Sequence, residues 1–141
     1  MPRALVDTTV LFAAAYRPDG AHDDALPILQ GIDTADLPEA VVLDYVLAET
    51  LNGLTTHAGH DAATDFLDRI EENARFHIDS LTGDAFVTGK ALFRRYEQFS
   101  FVDACIVAYQ PLLMGDDLLP ERVEVVAARH RNALSEDVAK F

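Results

Sequence analysis

Two short apolar runs constrain the architecture of this chain more than any other feature. Ala4-Leu5-Val6 stops at Asp7, Val41-Val42-Leu43 stops at Asp44, and after each acid the pattern switches to helical periodicity. Runs without alternating polar positions are strands buried on both faces, which is the situation of a parallel sheet covered by helices. The rest of the chain continues the alternation. A helix-like block, Val10-Leu11-Phe12-Ala13-Ala14-Ala15, ends before Pro18 and Gly20, and a second helix is expected over about 24–30. Asp44 is expected to cap a helix running to about His57, and Gly59 then breaks the pattern. Over 61–72 the periodicity is clean, with Ala63, Phe66, Leu67 and Ile70 on one face and Asp61, Asp65, Asp68 and Glu72 elsewhere. Phe76-His77-Ile78 reads as a short strand, Thr82 opens a further helix, and Val102 to Tyr109 reads as a buried helix that Pro111 ends. Leu112-Leu113-Met114 and Val123-Glu124-Val125-Val126 complete the strand candidates. The expected fold is therefore α/β, a central and mainly parallel sheet between helical layers, with a ligand site outside the carboxyl ends of the strands.

A length of 141 residues, half of them hydrophobic, suits one domain spanning 1–141. Apolar runs are all far shorter than the roughly 20 residues a membrane helix needs, and the start lacks a signal-like apolar core, so a cytoplasmic protein is expected. The single cysteine, Cys105, lies in an apolar stretch and reads as a buried thiol. Net charge is -13, from 24 acidic and 11 basic side chains, with nine Arg and only two Lys. Such self-repulsion suits concentrated salt, where the screening length falls to about 3 Å at 1 M, and a halophilic source is expected. Residues 121–141 differ from the rest, with four acids and four bases.

Three acids stand out. Asp7 ends a buried strand, Asp103 begins an otherwise apolar helix, and Glu49 lies in the helix after the second strand. Several carboxylates in one place suit Mg²⁺ or Mn²⁺, and without a cation at least one of them tends to hold a proton. Each also has a plain structural reading. Asp7 suits a helix cap, Asp103 suits a first turn favoured by the helix dipole, and Glu49 lies opposite the Leu47, Leu51 and Leu54 stripe, with Asn52 and Gly53.

The stretches Leu5-Val6-Asp7-Thr8-Thr9-Val10-Leu11, Val46-Leu47-Ala48-Glu49-Thr50-Leu51 and Phe99-Ser100-Phe101-Val102-Asp103-Ala104 resemble, in order and spacing, the first three acidic motifs of PIN domains. By eye the bacterial and archaeal VapC-type toxins are most similar, over roughly residues 4–110. That resemblance implies a three-layer α/β/α domain and a metal-dependent endoribonuclease. Asp7, Glu49 and Asp103 are then the catalytic carboxylates around Mg²⁺ or Mn²⁺, Thr9 is a supporting hydroxyl, and cleavage leaves a 5′-phosphate and a 3′-hydroxyl. It further implies an RNA substrate, a homodimer, and a cognate antitoxin completing a type II toxin-antitoxin pair.

The chain departs from the family after Asp103. The acids available for a fourth motif are Asp116 and Asp117, 13 and 14 residues on, which is several residues too close. Gly115-Asp116-Asp117-Leu118 reads equally as a compressed acidic turn or as an ordinary surface turn. The segment 111–141 is thus atypical, and a deletion or shifted frame near residue 110 would account for it. The alternative function is accordingly a PIN-like module with an impaired centre that binds antitoxin or RNA without cutting. A dehalogenase-like phosphatase would need an acid where Thr9 stands. His57 and His60 at i, i+3 read as a polar helix end rather than a metal pair, and of the two readings open to Arg129-His130-Arg131 and to Arg94-Arg95, contact with a phosphate backbone or a solvated helix face, the second is favoured for the cluster.

Overall fold

The central strand of the sheet is the least exposed part of the chain. In the computed structural model, which describes residues 3–114, strand β2 (Glu39–Leu43) has Ala40, Val41, Val42 and Leu43 all fully buried. It lies between β1 (Arg3–Leu5) and β3 (Phe76–Asp79), parallel to both, in the order β1-β2-β3. Arg3 pairs with Glu39 and Leu5 with Val41, while Ala40 pairs with Phe76 and Leu43 with Asp79. A strand with neighbours on both edges and helices on both faces has no wet side, which is why its sequence is apolar without alternation. β3 is an edge strand of the described sheet that loses cover along its length, from buried Phe76 to exposed Ile78.

Among the described residues six helices cover the sheet: α1 (Thr8–Ala15), α2 (His22–Asp33), α3 (Asp44–Ala58), α4 (His60–Glu72), α5 (Gly83–Arg95) and α6 (Phe101–Met114). Helix α1 packs on α2 and α3, α3 on α4, and α5 on α6, giving the three-layer α/β/α arrangement. Ala63, Phe66 and Ile70 of α4 are buried, as the periodicity predicts. Gly59 both ends α3 and starts α4 with φ +97° and ψ 169°, a conformation reserved for glycine. Thr82 caps α5 by accepting from the Ala85 N–H at 3.3 Å.

The helix expected over about 24–30 is α2, which runs through Pro27; that residue and Asp23, whose carbonyl the missing amide would have met, are both exposed. Other expectations are corrected. Pro111 does not end α6, which continues to Met114, so Leu112-Leu113-Met114 is helix and not strand. One missing donor near the end of a 14-residue helix does not outweigh the bonds on either side. Asp44 is not the cap of α3, whose N-cap is Leu43. Its Oδ1 accepts from the Tyr45 N–H at 2.9 Å and from the Leu81 N–H at 3.2 Å, joining the start of α3 to the loop after β3. Val123-Glu124-Val125-Val126, Asp116, Asp117 and the Arg129-His130-Arg131 cluster lie outside the described residues.

At the amino end of the sheet Glu39 takes Arg3 and Arg75, both at 3.8 Å, and His77, whose Nε2 lies 2.8 Å from Oε2. These neighbours hold the Glu39 carboxyl below the usual range, the His77 hydrogen bond first among them. The carboxyl ends are the reverse, carrying Asp7 just beyond β1, Asp44 just beyond β2 and Asp79 at the end of β3. Among the described residues no helix is long and apolar enough to cross a membrane.

Candidate active site

The acid after β1 occupies a cap position without capping. Asp7 has the extended backbone of an N-cap, φ -95° and ψ 160°, yet its side chain makes no capping hydrogen bond to α1. It is only 5% exposed. Burying a carboxylate is costly, and a cap needs no such burial, so capping does not account for the residue.

Asp103 combines two roles. Ser100 Oγ accepts from the Asp103 N–H at 3.1 Å, and Asp103 Oδ2 accepts from the Ser100 N–H at 3.3 Å. That reciprocal pair is a capping box, so the first-turn reading of Asp103 is realised. The same carboxylate also acts on Glu49. Burial is the first cause raising the Glu49 carboxyl above its ordinary range, followed by the negative charges of Asp7 and then Asp103. Glu49 as a residue is exposed, so water weakens these effects, but three acids from three distant stretches of chain share one field. No basic group is among the causes that move Glu49.

Helix packing explains how Glu49 arrives there. The residues of α3 that are buried are Val46, Thr50 and Leu54. Leu47 and Leu51 are only half-buried, so the apolar stripe sits differently from the one the leucines suggest. The side bearing Glu49, Gly53 and His57 faces α1. A Cβ on Gly53 would stand 3.2 Å from Cδ2 and Cε2 of the Phe12 ring. The His57 ring centroid lies 5.8 Å from those of both Phe12 and Tyr16. Thr8 leans on Glu49 and partly opposes its shift, although the buried hydroxyl is too loosely placed for a full hydrogen bond.

Thr8, Phe12, Gly53 and His57 are thus residues that shape the site and that sequence reasoning missed. The available signal was a glycine inside a helical pattern, which often marks close backbone approach. Thr9 is the second residue of α1, half-buried, and the hydroxyl that reaches Glu49 belongs to its neighbour.

Three oxygen-donor carboxylates under mutual repulsion are the donor chemistry a hard divalent cation needs. Among the described residues, however, no three His, Cys, Asp or Glu side chains are close enough together to hold an ion. His57 and His60 are likewise in no such group. The acids converge in one region without closing on a common point.

Behind them, at the ends of β2 and β3, Tyr109 OH donates to Asp79 Oδ2 at 3.1 Å. Burial, then this bond and the Asp79 charge, raise the tyrosine above its ordinary range. Cys105 is fully buried, and burial pushes its thiol up.

The family model described as PIN domain matches residues 4–109 of this chain. Among solved structures the chain is similar to VapC20 of Mycobacterium tuberculosis, described as a toxin that cleaves the sarcin-ricin loop. That match has 23% identity and a TM-score of 0.66, and covers 76% of this chain and 80% of the other. It is also similar to a toxin-antitoxin complex from Klebsiella pneumoniae, at 21% identity and a TM-score of 0.51, over 77% of this chain and 78% of the other. No curated protein matches.

Proposed function

The chain belongs to the PIN-domain family, and on that premise we propose that it is a metal-dependent endoribonuclease, the toxin of a type II toxin-antitoxin pair. One observation carries the reading. Glu49 of α3, raised first by burial and then by the charges of Asp7 and Asp103, shares one field with acids from the end of β1 and the start of α6. An accidental surface cluster would not bring a buried strand end and two separate helices to one field.

In this reading Asp7, Glu49 and Asp103 hold Mg²⁺ or Mn²⁺. When bound, the ion supplies a water made nucleophilic near neutral pH and charge neutralisation at the phosphodiester. Asp7 gives the site its fixed point, because its backbone follows a strand that is buried on both faces. Asp103 is held by the capping box. The products expected are a 5′-phosphate and a 3′-hydroxyl.

Two surfaces suit the partners of such a toxin. A groove of about 830 Å³ runs between α1, α2 and α4, with Ala15, Leu29, Phe66 and Ile70 in its lining and Asp33 and Asp65 among its polar residues. It fits an amphipathic antitoxin helix with a basic side, and Ala62→Arg in its lining should abolish antitoxin binding while leaving cleavage intact. On the other side Tyr45, Phe86, Phe93 and Phe101 form a chain of ring contacts, with Tyr45 36% and Phe93 46% exposed. An exposed aromatic patch of this kind supports a homodimer, and Phe93→Glu should leave a monomer in sedimentation.

A second reading, a PIN-like module that binds antitoxin or RNA without cutting, is favoured by the lack of an ion-holding trio among the described residues. Asp7→Asn separates the two. The nuclease reading expects Mn²⁺-dependent cleavage of RNA by the wild type and none by Asp7→Asn. Wild-type protein that binds RNA or antitoxin with equal strength but never cuts gives the second reading the case.

A further inference from the structure

The contacts between α1 and α3 repeat at one helical turn in both helices. Residues 8, 12 and 16 of the first segment meet residues 49, 53 and 57 of the second: Thr8 at Glu49, Phe12 at Gly53, and Tyr16, with Phe12, at His57. Residues four apart share one face of a helix, and Tyr16, the C-cap just beyond α1, adds a contact past the helix end, so this is a ladder of two rungs within α1 and a third at its cap. Its first rung carries Glu49, and α1 begins one residue after Asp7.

The middle rung sets how close the helices come. A Cβ on Gly53 would stand 3.2 Å from two atoms of the Phe12 ring, tighter than ordinary van der Waals contact. A methyl there must shift the ring or α1 by a few tenths of an ångström. The Phe12 ring is half-buried and also packs against Tyr16 at 5.2 Å and His57 at 5.8 Å, so its shift disturbs those contacts as well. Glycine in the middle of a helix is a poor helix former, so local stability gives no reason for it at this position.

We propose that Gly53 is a positioning residue: by letting α3 close on the Phe12 ring, it sets the separation between Glu49 and Asp7. The proposal rests on the reading that these carboxylates hold a divalent ion, and it assigns the fit of that site to a residue that cannot itself bind metal.

The test compares wild type, Gly53→Ala, and Gly53→Ala combined with Phe12→Val, which removes the ring the new methyl would meet. Mn²⁺ affinity is measured by calorimetry, and thermal stability is measured without metal. A purely structural role for position 53 predicts a lower Tm, because the added methyl meets the Phe12 ring, with Mn²⁺ affinity unchanged. The positioning role predicts the same Tm behaviour with Mn²⁺ binding about tenfold weaker or more, the loss typical when a support behind a metal ligand is disturbed. It further predicts recovery of affinity in the double variant.

Unchanged affinity in Gly53→Ala overturns the proposal, as does weakened affinity that the double variant does not recover. Should Gly53→Ala fail to fold, the double variant decides alone: near-wild-type affinity supports the ladder, and weaker affinity overturns it. Wild-type protein that binds no Mn²⁺ removes the nuclease reading itself and this inference with it, an outcome distinct from all the others.

Discussion

Asp103→Asn tests whether an acid that demonstrably caps a helix is also a metal ligand. The cap has two bonds. The one from the Asp103 N–H to Ser100 Oγ at 3.1 Å is a backbone donation that the substitution leaves alone. The other, from the Ser100 N–H to Oδ2 at 3.3 Å, can still be accepted by an amide oxygen. What disappears is the interaction of a negative charge with the helix start, worth about 0.3–1 kcal/mol. Against that, removing the charge relieves Glu49, which Asp103 pushes upward. The two changes have opposite sign. The metal-free protein should therefore keep its stability to within about 1 kcal/mol, or roughly 4 °C in Tm for a domain of this length. Metal binding should behave otherwise. Disturbing groups one shell behind a metal already costs about 10–100-fold, so loss of a ligand charge should weaken Mn²⁺ by at least tenfold, about 1.4 kcal/mol. Urea unfolding without metal and Mn²⁺ calorimetry read the two quantities separately. Ser100→Ala supplies the opposite pattern, losing about 1 kcal/mol of stability through the missing cap with a smaller change in affinity. If Asp103→Asn lost more than about 2 kcal/mol while binding Mn²⁺ normally, its role would be the cap alone.

Other consequences can be measured independently. Gly59→Ala should destabilise by about 1–3 kcal/mol in urea unfolding, all of it backbone strain, since nothing lies within 4 Å of the added methyl. Gly83→Ala, equally open but without a positive φ, should be neutral or mildly stabilising, and similar losses at both sites would refute the account of the α3–α4 junction. Tyr109 holds its proton more tightly in the folded state than in the unfolded chain, because of burial and Asp79. Its contribution to stability is thus complete below pH about 10 and is lost as pH rises through the folded value. Tyr109→Phe should flatten that alkaline loss, and an unchanged stability-pH curve would count against it. With a net charge of -13, thermal stability should rise between dilute buffer and about 1 M KCl as screening tightens; a fall would exclude adaptation to salt.

The parts of the molecule that were legible in the sequence are those decided locally. β2 follows from an apolar run, the boundary at Gly59 from a residue that tolerates its backbone angles, the start of α5 from Thr82, and the buried face of α4 from its period. Pro111 was a poor guide, because whether a helix survives a proline depends on what surrounds the lost hydrogen bond. Asp44 was misread because the donor it serves, the Leu81 N–H, lies 37 residues away. The site divides in the same way. Asp7 and Asp103 mark element ends and could be picked out singly. The position of Glu49 depends on which side of α3 meets α1, and the leucine stripe pointed elsewhere. Glu49, Asn52 and Gly53 look like a wet surface until Phe12 is set against them. The resemblance supplied Glu49, and packing supplies the reason.

The rungs between α1 and α3 behave as teeth. Three contacts recurring once per turn leave no comfortable intermediate offset, so the two helices can slip past one another only by a whole turn, about 5.4 Å. A slip of that size would set Phe12 against Glu49 and strand Thr8 beyond the end of the ladder. Thermal jostling smaller than one tooth returns the helices to the same notch, and the spacing of the acids is inherited from that notch rather than maintained by the acids themselves.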